Sequence, residues 1–176
     1  MLNSLKDFSI PFVGLTPGKH VFNYEVKDSF FEHFQYSPVK KGDLKISVEF
    51  DKQQENRFML MLSLDGTVEL ICDRCNAHYQ QELKASNKEI VKLGNPDEET
   101  DDDLMILPKT AFEINISELI YEFIIVACPM FPLHPLKKNG QPDCDKEMEE
   151  ILKKLNKSKS EADKGDPRWD KLKNIQ

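Results

Sequence analysis

Apolar and polar residues alternate along several stretches in the first half of the chain. This period of two is typical of strands with one buried and one solvated face. It predicts strands over residues 19–26, 44–50, 58–64, 67–71 and 78–91, the last counted as one strand or two. Between the third and fourth of these strands, Asp65-Gly66 predicts a hairpin turn. The segments together predict an antiparallel β-sheet, arranged as a meander or like a barrel.

The apolar period changes to that of a helix over residues 114–127. One wide apolar stripe is formed by Ile116, Leu119, Ile120, Phe123, Ile124 and Ala127. Asn115 is the predicted N-cap with Glu118 as its capping-box partner, and Pro129 ends the helix. A short helix over residues 29–36 and a charged helix over residues 143–155 are also predicted. The expected fold is therefore α+β, with the sheet packed by one long amphipathic helix and followed by a C-terminal helix and a flexible tail.

The length of 176 residues suits one domain with a tail. We expect a single α+β domain over residues 1–157 and a flexible polar tail over residues 158–176. Within the domain, residues 95–103 form an acidic break, with six acids between Asp97 and Asp103. Such a run is typical of a solvated loop. A calcium or magnesium site is the alternative, but no glycine-containing loop of alternating oxygen ligands is present.

The charge balance limits the classes of partner. A net charge of -7 does not attract phosphate backbones to the molecule as a whole. Residues 137–176 sum to +2 and the remainder to -9, so the basic character is local and weak. The polar first residues do not form a signal peptide, and no apolar run approaches the roughly 20 residues of a membrane span. These features predict a cytoplasmic protein with no membrane partner.

The candidate chemistry is concentrated in four cysteines. Cys72 and Cys75 form a Cys-x-x-Cys motif at the end of a predicted strand. Because cytoplasmic thiols stay reduced, the pair favours metal or redox chemistry over a structural disulfide. Two core thiols without a metal are the plainer alternative. A redox dithiol is a further one, although such a motif normally opens a helix, and no helical pattern follows here.

A zinc site needs two more ligands. His134 and Cys144 are the natural completing pair across a loop with proline and glycine, although a lone surface histidine is an equal interpretation of His134. Cys128 competes as a substitute ligand, and its commoner role is that of a small buried side chain. His78 lies near the thiol turn and is a distant candidate. Four protein ligands leave no open position on zinc, so the site would be structural.

The sequence carries no motif for hydrolytic catalysis: Gly-x-Ser-x-Gly, a phosphate loop and His-Glu-x-x-His are all missing. We therefore expect no catalytic residues, no organic cofactor and no small-molecule substrate. The exception left open is a thiol–disulfide enzyme that uses Cys72 and Cys75. In the tail, Trp169 and Leu172 lie three residues apart and predict a docking peptide, with Trp169 folded back onto the domain as the alternative.

Several motifs in order resemble one known family. Cys72-Asp73-Arg74-Cys75 resembles the Cys-x-Arg-Cys motif of the YceD family, the large ribosomal RNA subunit accumulation proteins. The helix containing Glu122 and the following segment 128–134 resemble that family's Glu-rich helix and its Leu-Pro-x-x-Pro-Leu-Cys segment. The segment 166–172, with Arg168, resembles its Asp-Pro-Arg tail. The likeness extends over roughly residues 44–172, whereas the longer cysteine-rich second cluster of many relatives is absent.

The resemblance implies a ligand set and a role. By position, His134 replaces a family cysteine, Cys144 matches a later one, and Cys128 falls where an apolar residue is usual. This favours Cys72, Cys75, His134 and Cys144 as the zinc ligands. The implied role is a non-enzymatic one in large-subunit ribosomal RNA accumulation, through contact with that RNA or with a large-subunit ribosomal protein. Because basic ribosomal proteins complement an acidic surface, docking on such a protein is physically easier. A general zinc-stapled interaction module is the alternative.

Overall fold

The computed structural model describes residues 5–54, 56–95, 104–138, 140 and 142–162. The chain divides into two compact units. The first unit comprises residues 1–70 and 78–132, and the second comprises residues 71–77 and 133–176. No helix among the described residues is long and apolar enough to cross a membrane.

A five-stranded sheet is the centre of the first unit. Its strands lie in the order β2 (Gly18–Lys27), β3 (Gly42–Gln54), β4 (Arg57–Ile71), β5 (His78–Gly94) and β6 (Leu104–Pro108). The first three strands pair antiparallel in continuous register, with one irregularity between Lys52 and Gln54. The strands predicted from alternation are thus present, and residues 78–91 belong to one strand.

The alternation buries one face of the sheet. Neighbouring apolar residues of β3 and β4 are paired directly, as Ile46 with Leu64, Val48 with Leu62 and Phe50 with Leu60. All six side chains are buried. Each such burial removes apolar surface from water and contributes about 1.5–3 kcal/mol, so these cross-strand pairs are a main source of the stability of the unit.

The predicted hairpin at Asp65-Gly66 is wrong, because β4 runs through both residues as a continuous strand. Gly66 is paired with Leu44, and a Cβ built on Gly66 would lie 2.2 Å from the carbonyl oxygen of Asp43. Its φ of +153° is also one that other residues rarely adopt. The glycine therefore allows two strands to approach closely instead of reversing the chain.

The sheet is mixed, which corrects the expectation of a purely antiparallel one. Strands β2 to β5 follow one another in space as in the chain, which is the predicted meander. Strand β6, however, pairs parallel to β5, from Ile90 with Leu104 to Gly94 with Pro108. A parallel neighbour requires a crossover between the strands, and most of the predicted acidic break at residues 95–103 lies outside the described residues.

A second, two-stranded sheet joins the start of the chain to the segment before the main helix. Strands β1 (Ser9–Pro11) and β7 (Glu113–Asn115) pair antiparallel, next to a 3₁₀ helix, Leu5–Phe8. Phe8 stacks on Tyr24 at a centroid distance of 5.3 Å, and Ile10 and Phe12 are buried. The aromatic side chains of this arm and of the short helix α1 (Asp28–Phe31) therefore contribute to the core.

The helix predicted over residues 114–127 is shorter than expected. Helix α2 spans Ser117–Ala127, because Ile114 and Asn115 belong to strand β7. Ile116 is the N-cap and makes no side-chain capping bond, whereas Asn115 Oδ1 accepts a hydrogen bond of 3.0 Å from the Ser117 N–H. A single long amphipathic helix is thus not confirmed, although Ile120 and Ile124 of the predicted stripe are fully buried.

The second unit contains helix α3, Lys146–Ala162. This helix begins three residues later than predicted and extends past residue 157, where we expected the folded domain to end. Asp145 Oδ1 accepts a 3.0 Å hydrogen bond from the Met148 N–H, so the aspartate caps the first turn. The single domain over residues 1–157 stays a prediction, and residues 163–176 of the expected tail lie outside the described part of the chain.

Candidate metal centre

Cys72 and Cys75 lie in a tight turn of the second unit. The Asn76 N–H donates a 2.8 Å hydrogen bond to the Cys72 carbonyl, and the Cys72 N–H donates one of 3.0 Å to Ala77. Asn76 closes the turn with a φ of 57°, in the left-handed region that asparagine tolerates better than most residues. The turn therefore brings both thiols of the motif to one side of a short loop.

His134 and Cys144 lie across a small hairpin. An antiparallel bridge pairs Leu136 with Pro142, and the Asp143 N–H donates a 3.1 Å hydrogen bond to the Pro135 carbonyl. The next pair in this register, after Pro135 and Asp143, is His134 opposite Cys144. The chain reverses with Gly140 at a φ of 78°, and its N–H donates a 2.8 Å hydrogen bond to the Lys137 carbonyl.

An ion pair closes the same hairpin. Lys137 Nζ lies 2.7 Å from Asp143 Oδ1. The ammonium lowers the pKa of Asp143, first through the hydrogen bond and then through its charge. Both side chains are largely exposed, so we expect this pair to orient the hairpin more than to stabilise it.

The turn and the hairpin bring four potential ligand atoms together. The Sγ atoms of Cys72, Cys75 and Cys144 and a ring nitrogen of His134 all lie within 4.8 Å of one another. Cys72 Sγ is 3.9 Å from Cys144 Sγ. His134 Nδ1 is 3.4 Å from Cys75 Sγ and 3.8 Å from Cys144 Sγ. All four ligand residues belong to the second unit.

These distances fit a tetrahedral zinc site. With Zn–S bonds of about 2.3 Å and Zn–N bonds of about 2.0–2.1 Å, neighbouring sulfurs lie about 3.8 Å apart and a sulfur and a nitrogen about 3.6 Å apart. The contacts of 3.9, 3.4 and 3.8 Å agree with those edges. Three cysteines and one histidine are also an ordinary donor set for structural zinc. The cluster can therefore hold a metal ion of this kind.

The electrostatics of the cluster favour a cation. Burial opposes ionisation of the Cys72 thiol, but hydrogen bonds from the backbone of Cys75, His134 and Arg74 lower the pKa of Cys72 to about 6. Burial raises the pKa of Cys144 to about 11, and its hydrogen bonds and charge repulsion with the other two thiols act in the same direction. One thiol of the cluster therefore ionises readily. Ionisation of a second thiol is opposed by repulsion from the first thiolate, unless a positive ion offsets that repulsion.

The cluster also supplies the buried centre of its unit. Among the second-unit residues whose burial is described, only Cys72, Cys75 and Cys144 are buried. Apolar residues of this unit such as Leu136 and Ile151 are exposed. A segment that buries so little apolar surface usually needs a metal or disulfides for its stability. Cys72, Cys75 and Cys144 are free thiols, so all three are available as ligands of a metal ion.

The other sequence candidates lie elsewhere. Cys128 is at the C-cap of α2 in the first unit, and burial raises the pKa of its thiol. His78 is exposed and lies 3.3 Å from the carboxylate of Glu69. Neither belongs to the four-residue cluster. The proposed docking residues of the tail, Arg168, Trp169 and Leu172, lie outside the described residues.

Two supporting features were missed from the sequence. The backbone groups of Arg74 and Cys75 that act on the Cys72 sulfur carry no side-chain signal, because every residue except proline has an N–H. Asn76, by contrast, was a usable signal, since asparagine directly after a Cys-x-x-Cys predicts a left-handed turn residue. Such groups orient the ligands and tune their charge.

Comparison with models of known protein families gives a match for this chain. No curated protein and no solved structure matches the chain. The family model described as "Large ribosomal RNA subunit accumulation protein YceD" matches residues 60–176, a range that includes all four ligand residues and helix α2. Because this match covers more than half of the 176 residues, the chain belongs to the YceD family.

Proposed function

We propose that this protein is a non-enzymatic ribosome biogenesis factor that acts in the cytoplasm and supports the accumulation or assembly of large-subunit ribosomal RNA. The observation that carries this proposal is the family match over residues 60–176. In the same proposal, Cys72, Cys75, His134 and Cys144 hold a structural zinc ion. The ion fixes the thiol turn to the hairpin, and no bond of a substrate is changed.

The structural role of zinc is supported by the ligand count. Four protein ligands leave no position for water or substrate, whereas catalytic zinc sites keep one open. The three thiols and the imidazole come from two separate segments of the second unit, the turn at residues 71–77 and the hairpin that ends at Cys144. Bound zinc would hold these segments together and lower the cost of three neighbouring thiolates.

The partner that the charges favour is a basic one. The second unit contains 12 Lys or Arg and 10 Asp or Glu, a sum of +2. The first unit then contains 12 and 21, a sum of -9. An acidic surface of this size is complementary to a basic large-subunit ribosomal protein and repels RNA phosphates. Contact with ribosomal RNA is accordingly assigned to the weakly basic second unit.

The metal proposal makes a direct prediction. Purified protein should bind one zinc ion by native mass spectrometry, and cobalt(II) substitution should give the intense visible bands of a tetrahedral thiolate site. The Cys144→Ser variant removes one of the four clustered donors and should lose the ion. Cys128→Ser is the matched control, because Cys128 lies outside the cluster, and it should retain the metal. A wild-type protein without metal, or equal loss from both variants, would contradict the proposal.

The biological role is tested by depletion. Cells depleted of the protein should show fewer free large subunits on a sucrose gradient and less mature large-subunit ribosomal RNA. Wild-type protein and Cys128→Ser should restore both, whereas Cys144→Ser should restore them poorly if the metal centre is required. Unchanged large-subunit RNA on depletion would remove the proposed function, whatever the metal content of the protein.

A thiol–disulfide activity is the second candidate. The observation in its favour is the lowered pKa of Cys72, since a thiolate near neutral pH is the reactive form of cysteine. That activity requires a metal-free dithiol of Cys72 and Cys75 that is readily oxidised and reduced. Purified protein that is free of zinc and catalyses disulfide reduction, with activity lost in Cys75→Ser, would favour it. A general zinc-stapled interaction module would bind zinc but leave ribosomal RNA unchanged on depletion.

The C-terminal segment has a separate proposed role. Arg168, Trp169 and Leu172 would form a docking peptide for an assembly intermediate, because Trp and Arg are frequent anchors of interfaces. Deleting residues 158–176 should weaken co-sedimentation of the protein with large-subunit precursors. If co-sedimentation of the truncated protein equals that of the full chain, the docking role is wrong.

A further inference from the structure

A groove lies between helix α2 and strand β5 on the first unit, apart from the proposed zinc ligands. It has a volume of about 370 Å³. On the helix side, its lining includes Leu119, Phe123 and Val126, which follow one another at spacings of four and three residues and so occupy one helical face. The groove therefore runs along about two turns of α2.

The apolar part of this lining changes from buried to open along the helix. Leu119 and Phe123 are 9% and 7% exposed and form a floor, whereas Val126 is 83% exposed. Met130 and Phe131, which follow the helix and are not among the lining residues of the groove, are 86% and 72% exposed. Consecutive large apolar side chains with this much exposure are unusual on a free surface and commonly mark a protein contact.

The polar part of the lining is acidic. Glu122 projects from the helix and Glu89 from the strand, and no Lys or Arg is among the described lining residues. The Asn87 side-chain amide donates a 2.7 Å hydrogen bond to Glu89 Oε1, which holds that carboxylate in place. Helix α2 contains Glu118 and Glu122 and no basic residue, and the whole unit sums to -9. The groove thus combines an apolar floor with a negative rim.

We propose that this groove binds a basic amphipathic helix of a partner protein. Its apolar side chains would cover Leu119, Phe123 and Val126, and its Lys or Arg residues would lie against Glu89 and Glu122. In helix-in-groove recognition, the bound helix places apolar anchors at positions i, i+3, i+4 and i+7 into the apolar floor of the groove. The opposite charges fix orientation and disfavour nucleic acid, whose phosphates the two glutamates repel. This inference rests on the proposed function in one respect only: ribosome biogenesis is the process in which basic partner proteins are abundant.

The test uses full-length, zinc-loaded protein and a defined probe. The probe is a synthetic helical peptide of Leu and Lys with leucines at positions i, i+3, i+4 and i+7. Its control has the same composition in an order that breaks the leucine face. Fluorescence anisotropy should show saturable binding of the probe and about tenfold weaker binding of the control peptide. In amide NMR spectra, the probe should shift the resonances of Leu119, Phe123 and Val126.

Two surface variants locate the binding. Glu122→Lys reverses one rim charge and Val126→Ser removes the exposed anchor, and each should weaken the probe about tenfold. Glu32→Lys is the matched control, since it makes the same charge change at an exposed site outside the groove, and it should change affinity less than about twofold. Circular dichroism should confirm that all three variants keep the wild-type fold.

Several results would overturn the inference. These are no saturable binding, equal affinity for both peptides, shifts away from the groove, binding of single-stranded RNA at the same residues, or self-association that Val126→Ser abolishes. The last two would assign the groove to RNA or to a second copy of the chain. If depletion lowers ribosomal RNA but the peptide does not bind, the groove inference is wrong and the proposed function stands. If the peptide binds but depletion has no effect on ribosomal RNA, the proposed function is wrong and the groove inference stands.

Discussion

Gly66 shows what a single residue can decide in this fold. A glycine after aspartate is a strong turn signal, yet here it lies inside β4, facing the backbone of Asp43 and Leu44. The signal for a turn and the signal for close strand approach are the same residue type. Only the partner strand distinguishes them, and the partner is not encoded locally. The hairpin turn predicted at Asp65-Gly66 is wrong for this reason.

Substitution of Gly66 makes a quantitative prediction. In Gly66→Ala, the new Cβ would lie 2.2 Å from the Asp43 oxygen and 2.8 Å from the Leu44 Cα, so β3 and β4 must separate locally. We expect the free energy of unfolding to fall by about 2–4 kcal/mol in urea denaturation.

Gly14→Ala is the control for that measurement, because a Cβ on Gly14 meets no atom within 4 Å. It should change the free energy of unfolding by less than about 0.5 kcal/mol. Equal stability of the two variants would show that β3 and β4 are not this close in solution.

The four residues of the cluster differ from Gly66, because their chemistry can be recognised without knowing what lies beside them. Cysteine and histidine carry their chemistry in the side chain, so residue type and spacing were enough to make Cys72, Cys75, His134 and Cys144 candidates, with Cys128 as a competitor. Spacing left His134 open, and the family resemblance favoured the quartet. The structure brings the four together within 4.8 Å, whereas zinc in the cluster stays a prediction.

At the scale of elements, local periodicity predicted the strands well and the helices less well. Strand β3 follows the alternation because Leu44, Ile46, Val48 and Phe50 are buried on one sheet face. In β2 the alternate residues are half-buried up to the buried Val26, and in β5 the alternation is regular only over residues 78–86. The parallel pairing of β6 could not be predicted, since it depends on which edge of the sheet the chain returns to. Helix α2 is shorter than predicted because Ile114, which lies outside the apolar stripe that begins at Ile116, pairs with Ile10 in the two-stranded sheet.

Helix α3 provides the prediction at this scale. Asp145 caps its first turn through the 3.0 Å bond to Met148 and directly follows the proposed ligand Cys144. Asp145→Ala should therefore fray the turn, at a cost of about 1 kcal/mol, and loosen that ligand. We expect faster amide exchange at Met148 and up to about tenfold weaker zinc affinity in chelator competition.

Asp145→Asn separates capping from charge in that experiment. Asparagine keeps the oxygen that accepts the Met148 N–H and removes only the negative charge. It should therefore retain most of the zinc affinity and the slow exchange of the wild-type protein. If Asp145→Asn were as weak as Asp145→Ala, the helix cap would not be the cause of the loss.

For the whole molecule, the two units differ in what stabilises them. The first unit buries paired rows of side chains such as Ile46 with Leu64 and Val48 with Leu62. The second unit, among the residues whose burial is described, buries only the three cysteines of the cluster. A core of apolar side chains is independent of metal, whereas a core of thiols around one ion is not. The stability of the two units should therefore respond differently to a chelator.

Removal of zinc tests this difference in one experiment. Without the ion, the three neighbouring thiols lose the charge that offsets their repulsion, and little apolar burial remains to replace it. Amide exchange should become fast over residues 71–77 and 133–155, while β3 and β4 keep their protection. At free zinc 100 times the dissociation constant, the ion contributes about 2.7 kcal/mol, and adding it back should restore the protection. Uniform loss over both units would mean that the sheet also depends on the metal, and unchanged exchange would mean that the cluster is stable as free thiols.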